Sequence, residues 1–247
     1  MEVIVFDICA PFGQFRVPYT TTSPITYPIP PKTSIAGMVG AIIGLDKNNY
    51  LNFFQEDSFL ISVALLNPVK KIFINENFIN TKVVSASQCF ARMKAGKSNR
   101  TQITVEFLKD PRYRIFFSHG NLEIISKLES FLTSHKSYYT LVMGLSECVA
   151  NYSYVGTFEV HEIICEEMVD IELDSVLPLD SQKDMRLNFD LIEGRKFLKV
   201  HLPVLLSPER ELLKSIDLLI EQDGKTIPLK TKYYFEINEL KTKILFF

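Results

Sequence analysis

The sequence contains no tryptophan, no CxxC pair and no hydrophobic run long enough to cross a membrane. The longest run of glycine and aliphatic residues, 35–45, falls well short of the roughly 20 apolar residues that a bilayer span requires. The N-terminus carries Glu2 and Asp7 where a signal peptide would carry positive charge. These absences predict a soluble, cytoplasmic protein.

The four cysteines are far apart in the sequence: Cys9, Cys89, Cys148 and Cys165. This spacing excludes the dense disulfide framework of small secreted domains and favours reduced, mostly buried thiols. With 47% hydrophobic residues in 247, the chain can bury a sizeable core. Most of its 19 Phe and 10 Tyr are expected there, and the remainder can stack on bases.

The net charge of -2 argues mildly against indiscriminate nucleic-acid binding, but the charges are unevenly distributed. Residues 8–45 contain no acid, and residues 92–114 contain seven bases and two acids. Residues 159–174 instead contain seven acids and neither Lys nor Arg. The chain is therefore expected to attract a polyanion on one side and repel it on the other. The acidic stretch lacks the ligand spacing of a metal site, so no metal or cofactor is expected.

The N-terminal third predicts a strand, an extended loop and a helix. Residues 2–8 form an apolar, β-branched run typical of a buried strand. Half of the twelve prolines lie in the following segment, 11–31, which excludes a helix there. A helix is expected over 34–45, with a Thr33 or Ser34 hydroxyl capping its first amides. Glycine and alanine at 37, 40, 41 and 44 leave one face of this helix without bulk, so a sheet or a ligand is expected against it.

The remaining patterns complete an α+β fold. Strands are predicted at 59–66, 112–118 and 152–165, a helix at 122–132, and a long hairpin or protruding arm at about 70–108. This order indicates a ferredoxin-like, RRM-type N-terminal domain over 1–168. Strand-like segments separated by turns, including the Asp223 and Gly224 turn, predict a smaller β-rich region over 169–247.

Four segments together resemble the CRISPR-associated Cas-five family (RAMP superfamily), in a variant similar to those of type I-B systems. They are FDICAPFGQFR, YPIPPKTSIAGMVGAIIGL, RTQITVEFLKDPRYRIFF and YTLVMGLSECVANYSYVGTFE, and they span about two thirds of the chain in the expected order. The resemblance implies a modified RNA-recognition fold with a protruding hairpin. It also implies a subunit of a Cascade-type interference complex that grips the 5′ handle of CRISPR RNA.

The same resemblance implies four partners. They are CRISPR RNA, a Cas-seven-like backbone subunit, a Cas-eight-like large subunit and, indirectly, target DNA. The loop that is glycine-rich in the family corresponds here to Gly144 alone, which is expected to lie near the RNA.

Candidate RNA contacts fall in three groups beside Gly144. Arg16 lies in the acid-free stretch, where its guanidinium can contact a phosphate; the alternative is a surface ion pair. Lys32, Thr33 and Ser34, with the first helix amides, form a candidate phosphate seat, although the upstream GxxxxG of a nucleotide-binding loop is missing. The arm and the strand after it supply the largest group: Arg92, Met93, Lys94, Lys97, Arg100, Gln102 and Arg112. A solvated charged loop is the alternative for the arm cations.

A metal-independent endoribonuclease that processes precursor CRISPR RNA is the alternative function. Such cleavage needs a general base for a 2′-hydroxyl and a cation, which His119, or His135 beside Lys136 near Tyr138 and Tyr139, can offer. Adjacent residues on one element usually face apart, and type I-B relatives leave processing to a separate enzyme. We therefore expect no catalytic residues.

Overall fold

A computed structural model of the chain describes residues 1–20, 22–79, 100–179, 185–188 and 193–247. Within these ranges the chain forms two α-helices, α1 (Lys32–Ile43) and α2 (Leu122–Thr133). The strands are β1 (Glu2–Cys9), β2 (Phe12–Gly13), β3 (Phe59–Leu65), β4 (Lys71–Ile79), β5 (Arg100–Lys109), β6 (Arg112–His119), β7 (Asn151–Glu159), β8 (His161–Leu173), β9 (Leu177–Pro178), β10 (Met185–Leu187), β11 (Phe197–Leu206), β12 (Leu212–Glu221), β13 (Ile227–Ile237) and β14 (Thr242–Ile244). Neither of these helices is long and apolar enough to cross a membrane.

The central sheet confirms the ferredoxin-like prediction. Its strands lie in the order β3-β6-β1-β7 and every neighbouring pair is antiparallel. With α1 after β1 and α2 after β6, this is the arrangement of a split βαβ unit. The strands expected at 59–66 and 112–118 and the helix expected at 122–132 are confirmed to within one residue at each end.

Residues 3–6 and Ile8 of strand β1 are apolar because both faces of the strand are buried. Ile4, Phe6 and Ile8 belong to the cluster that packs against the helices, whereas Val3 and Val5 pack on the opposite face against residues of β13 and β14. The helices cover the first face of the sheet, and C-terminal strands cover the second. The β-rich C-terminal region therefore closes the sheet face that the helices leave open.

Helix α1 begins two residues earlier than expected, and the expected hydroxyl cap is wrong. The N-cap position is occupied by Pro31, which provides no side-chain cap. Its carbonyl instead accepts hydrogen bonds from the amides of Ser34 (2.9 Å) and Ile35 (3.0 Å). Proline has the fixed backbone that suits a helix start, so the helix begins at once after it. The helix ends at Gly44, whose positive φ of 75° provides a left-handed C-cap.

The arm is an antiparallel hairpin of β4 and β5, which confirms the prediction for this segment. Its base is tied to the proline-rich loop by the buried carboxylate of Glu106. This carboxylate accepts hydrogen bonds from the Thr26 amide (3.0 Å) and the Lys71 ammonium (2.8 Å), and Lys71 also donates to the Thr26 carbonyl (2.8 Å). The arm and the loop are thereby fixed relative to one another.

Two predictions for the second half of the chain need correction. The single strand expected over 152–165 is two strands, because the chain turns at buried Val160, whose amide donates to the Met1 carbonyl. The turn at Asp223 and Gly224 exists, but its flanking strands do not pair. Strand β12 pairs with β11 and β9, whereas β13 pairs with β8, β10 and β14. The acidic stretch forms most of β8, whose carboxylates are largely exposed.

Asp7→Asn tests the one carboxylate buried in the central sheet. Asp7 accepts two hydrogen bonds from Arg114, at 2.7 and 3.1 Å. Removing its charge should lower the free energy of unfolding by about 2 kcal/mol, since Arg114 is only partly buried and regains some hydration. Urea unfolding measures this loss. Glu2→Gln, on the exposed end of the same strand, should change stability by less than about 0.5 kcal/mol, and equal effects of the two changes would contradict a stabilising role for the pair.

Candidate nucleic-acid interface

The segment 140–144 contacts two segments that are distant from it in sequence. These are the extended stretch after β2 and the first turns of α1. The first contact forms because the Gln14 amide donates to the Met143 carbonyl at 3.0 Å. This joint places the stretch that carries Arg16 beside the segment that carries Gly144.

Gly144 allows the two backbones to approach this closely. Its φ is 90°, and a Cβ at this position would lie 1.9 Å from the Gln14 carbonyl oxygen. No side chain fits there without separation of the two segments. The geometry therefore requires a glycine at position 144.

A cavity of about 300 Å³ lies between α1 and the segment 140–144. Its lining includes the predicted residues Thr33, Ser34 and Gly144, which the fold therefore brings together. The other residues of the lining are Gly37, Met38, Ala41, Tyr50, Thr140, Leu141, Val142 and Leu206. Gly37 and Ala41 of the bare helix face thus border a cavity rather than the sheet, and a ligand there stays a prediction.

Arg16 is exposed and forms no ion pair with any acid in the described ranges. One of its terminal nitrogens donates to the Thr20 carbonyl at 3.1 Å, and its backbone forms a β-bridge with Thr26. The surface ion pair considered as the alternative is therefore not found among these residues. The remaining guanidinium donors stay available to a phosphate.

Lys32 is turned away from this cavity. Its ammonium donates to the main-chain oxygen of Phe247 at 2.6 Å and lies 4.5 Å from the centre of the Phe59 ring. Burial lowers the pKa of this ammonium to about 8, with Lys214 contributing in the same direction. Its proposed phosphate contact stays a prediction, and would require these intramolecular contacts to be exchanged.

The other predicted cations are dispersed. Arg112 lies beside Asp7, with its terminal nitrogen 3.7 Å from that carboxylate, at an end of the central sheet. Arg100 and Gln102 are exposed on β5 of the arm. The predicted residues Arg92, Met93, Lys94 and Lys97 lie outside the described residues. None of these assignments is tested by the fold.

Sequence reasoning missed Tyr50, which lines this cavity, and Arg210, which lies beside it. Tyr50 borders the cavity, and the Arg210 guanidinium lies 6.0 Å from the centre of its ring. Burial raises the pKa of the Tyr50 hydroxyl, which therefore stays protonated at neutral pH. The bare face of α1 was the only sequence signal that pointed toward these residues, because nothing local connects positions 50 and 210 to it.

The candidate catalytic histidines have structural contacts. The Nδ1 atom of His119 accepts the Asn121 amide at 2.9 Å, so its Nε2 atom carries the proton and donates to the Phe53 carbonyl at 2.8 Å. Burial lowers the pKa of His119, which favours this neutral form. The His135 ring packs against Tyr152 at 4.8 Å. Among the described residues, no three His, Cys, Asp or Glu side chains come together as metal ligands.

The strand order, together with the hairpin inserted between β3 and β6, defines a modified RNA-recognition-type domain. The model of the family described as CRISPR-associated protein (Cas_Cas5) matches residues 3–179. The chain therefore belongs to the CRISPR-associated Cas-five family, as the sequence resemblance implied.

Two solved structures share this fold. One is described as the crystal structure of a CRISPR protein from Archaeoglobus fulgidus, with 17% identity, 96% of each chain covered and a TM-score of 0.54. The other is described as a CRISPR RNA-guided surveillance complex, with 10% identity, 92% of this chain and 91% of that chain covered, and a TM-score of 0.52. No curated protein matches the sequence.

Gly144→Ala tests the close approach at the centre of this interface. The added Cβ forces the Gln14 and Gly144 segments apart, so the free energy of unfolding should fall by more than about 3 kcal/mol. Gly194→Ala is the matched control, because φ is 70° there and nothing lies within 4 Å of the added atom. In this control the free energy of unfolding should fall by about 1 kcal/mol, from backbone strain alone. Urea unfolding of both variants compares the costs, and similar values would contradict the proposed contact.

Proposed function

We propose that this chain is a noncatalytic, cytoplasmic subunit of a type I CRISPR interference (Cascade) complex that binds the 5′ handle of CRISPR RNA. The observation that carries this proposal is the cavity that Gly144 shares with Thr33 and Ser34 at the start of α1. The segment that contains Gly144 is in turn bonded to the stretch that carries Arg16, because the Gln14 amide donates to the Met143 carbonyl. A family member with this arrangement has the geometry to hold a single-stranded RNA segment.

The start of α1 suits a phosphate. Ser34 and Ile35 donate to Pro31, which leaves the Lys32 and Thr33 amides as the first donors of the helix. The first turn contains no acid, so its partial positive charge is not neutralised locally. Arg16 adds a full positive charge on the neighbouring segment. Together these groups support binding of consecutive RNA phosphates.

Exposed aromatic rings accompany these cations. Tyr19 is 80% exposed in the same loop as Arg16, and Phe73 is 66% exposed on the arm. Rings of this size left in solvent can stack on unpaired bases, which contributes about 1–3 kcal/mol per base. They support recognition of single-stranded rather than duplex RNA.

The acidic side of the chain supports contacts with protein rather than with RNA. Strand β8 has one edge paired with β13 and exposes carboxylates along most of its length. Exposed charges on such a strand prevent uncontrolled pairing with other sheets. They would repel RNA and are compatible with a basic surface on the Cas-seven-like or Cas-eight-like subunit.

Arg16→Ala tests the handle contact. Removing a charge-assisted phosphate bond should weaken binding of handle-bearing guide RNA about tenfold. The plot of log affinity against log salt should become shallower by about 0.7, the value for one phosphate of a single strand. Filter retention of labelled RNA across a salt series measures both. Arg186→Ala, an exposed arginine on β10, should change neither, and equal losses would contradict a specific role for Arg16.

The same RNAs test the enzymatic alternative. In EDTA, retention of handle-bearing RNA without cleavage supports a binding subunit. Site-specific cutting of repeat RNA that His135→Ala abolishes while RNA retention persists would overturn the noncatalytic assignment in favour of a metal-independent endoribonuclease.

A further inference from the structure

The cavity beside α1 exists because two residues of the helix have almost no side chain. Gly37 and Ala41 face it, and a Cβ added at Gly37 would meet only the Tyr50 hydroxyl, at 3.9 Å. At about 300 Å³ the cavity lies at the small end of the range for ligand sites, about 300–1,000 Å³. This size admits one small ring system.

Four hydroxyl groups line the cavity, those of Thr33, Ser34, Tyr50 and Thr140. None of them forms a hydrogen bond with another group in the described part of the chain. Thr140 is exposed, and Thr33, Ser34 and Tyr50 are half-buried. By comparison, the buried hydroxyls of Thr26 and Tyr113 both donate to carbonyl groups. The cavity therefore contains a set of spare donors and acceptors.

The remaining lining is apolar and faces these hydroxyls. Met38 and Leu141 are buried beneath the cavity, and Leu206 of β11 borders it from the C-terminal region. A planar ring with an apolar face and a hydrogen-bonding edge matches both parts of the lining. A nucleobase is such a ring, and an unpaired RNA base can leave its stack to enter a pocket.

A cation lies next to this cavity. The Arg210 guanidinium lies 6.0 Å from the Tyr50 ring centre and donates to the Lys47 carbonyl at 2.9 Å. Arg210 itself has a positive φ of 70°, an uncommon conformation for a residue other than glycine that is often found at functional sites. Its remaining donors can contact the phosphate of a nucleotide whose base lies beside Tyr50.

We propose that this cavity binds one unstacked nucleobase of the RNA, with the Tyr50 hydroxyl on the base edge and Arg210 on the adjoining phosphate. This inference rests on the proposed RNA-binding function and adds to it a base-reading pocket shared between the N-terminal domain and β11. It assigns recognition to Tyr50 and Arg210, which lie outside the arm, the Arg16 loop and the phosphate seat, while Thr33 and Ser34 of the seat line the same cavity.

Abasic substitution of the RNA tests the pocket. A set of handle-bearing RNAs, each lacking the base at one position, is titrated against the full chain. The wild type should lose between about 5-fold and 150-fold in affinity at the position whose base enters the pocket, the range expected for one stacked base. In Gly37→Leu, whose side chain fills the cavity, the loss of affinity caused by the missing base should disappear. In Gly37→Ala this loss should decrease, but by less than in Gly37→Leu.

Tyr50→Phe provides an independent readout. It removes one hydroxyl and keeps the ring, so it should leave a stacking penalty but weaken discrimination between bases at that position. Gly120→Leu is the matched control for added bulk, because Gly120 does not line the cavity and its Cβ would make only an ordinary contact, with the Ser58 carbonyl at 3.7 Å. This variant should show the same loss of affinity as the wild type at every abasic position.

The possible outcomes separate the two proposals. If handle-bearing RNA binds but no positional penalty depends on Gly37 or Tyr50, the pocket is overturned and the proposed function stands. If the wild type does not prefer handle-bearing RNA, both are overturned. If Gly37→Leu instead weakens association with a neighbouring protein subunit and leaves RNA binding intact, the occupant is a protein side chain and the nucleobase assignment is wrong.

Discussion

The interface depends on how the proline-rich segment 11–31 is held in place. Proline has no amide hydrogen, so this segment has few backbone donors, and its regular strand pairing is limited to β2 with β5. The rest of the segment is held by single hydrogen bonds, several of them from other elements. Glu106 of the arm binds the Thr26 amide, the buried Tyr113 hydroxyl donates to the Pro28 carbonyl at 2.6 Å, and Gln14 pairs with Met143. The position of the segment that carries Arg16 therefore depends on the arm and on the segment 140–144.

The same contacts explain how much could be predicted from the sequence. The central sheet, both helices and the hairpin follow from local periodicity, because each buries a face whose apolar spacing is visible in the chain. The start of α1 differs from its predicted position, and the break at Val160 was not predicted. Both depend on a partner that the local pattern does not reveal. Pro31 replaces a hydroxyl cap, and Val160 turns where it meets Met1. The strands β12 and β13 likewise pair within different sheets. Tertiary packing determines this pairing, and the sequence of the turn between them does not specify it.

The candidate site was only partly predictable for a related reason. A charged residue in a basic stretch can face a ligand, an acid or another main-chain group, and sequence does not distinguish these. Arg16 has no acidic partner among the described residues, whereas Lys32 is engaged with Phe247 and Arg112 lies beside Asp7. For Thr33 and Ser34 the predicted cap is wrong, whereas their predicted RNA contact stays a prediction. They do not cap the helix, and this leaves their hydroxyls free to line the cavity.

The bare face of α1 links these observations into one physical argument. A glycine inside a helix costs about 1 kcal/mol relative to alanine, so Gly37 and Gly40 together weaken α1 unless close packing or a ligand compensates. Gly40 packs against Tyr50, and a Cβ there would make an ordinary contact with the Tyr50 side chain at 3.6 Å. Gly37 has no such contact and borders open space instead. The cost at Gly37 is therefore not explained by the fold of the isolated chain, and a flat ligand against that face is the compensation that fits its size and its hydroxyl-lined edge.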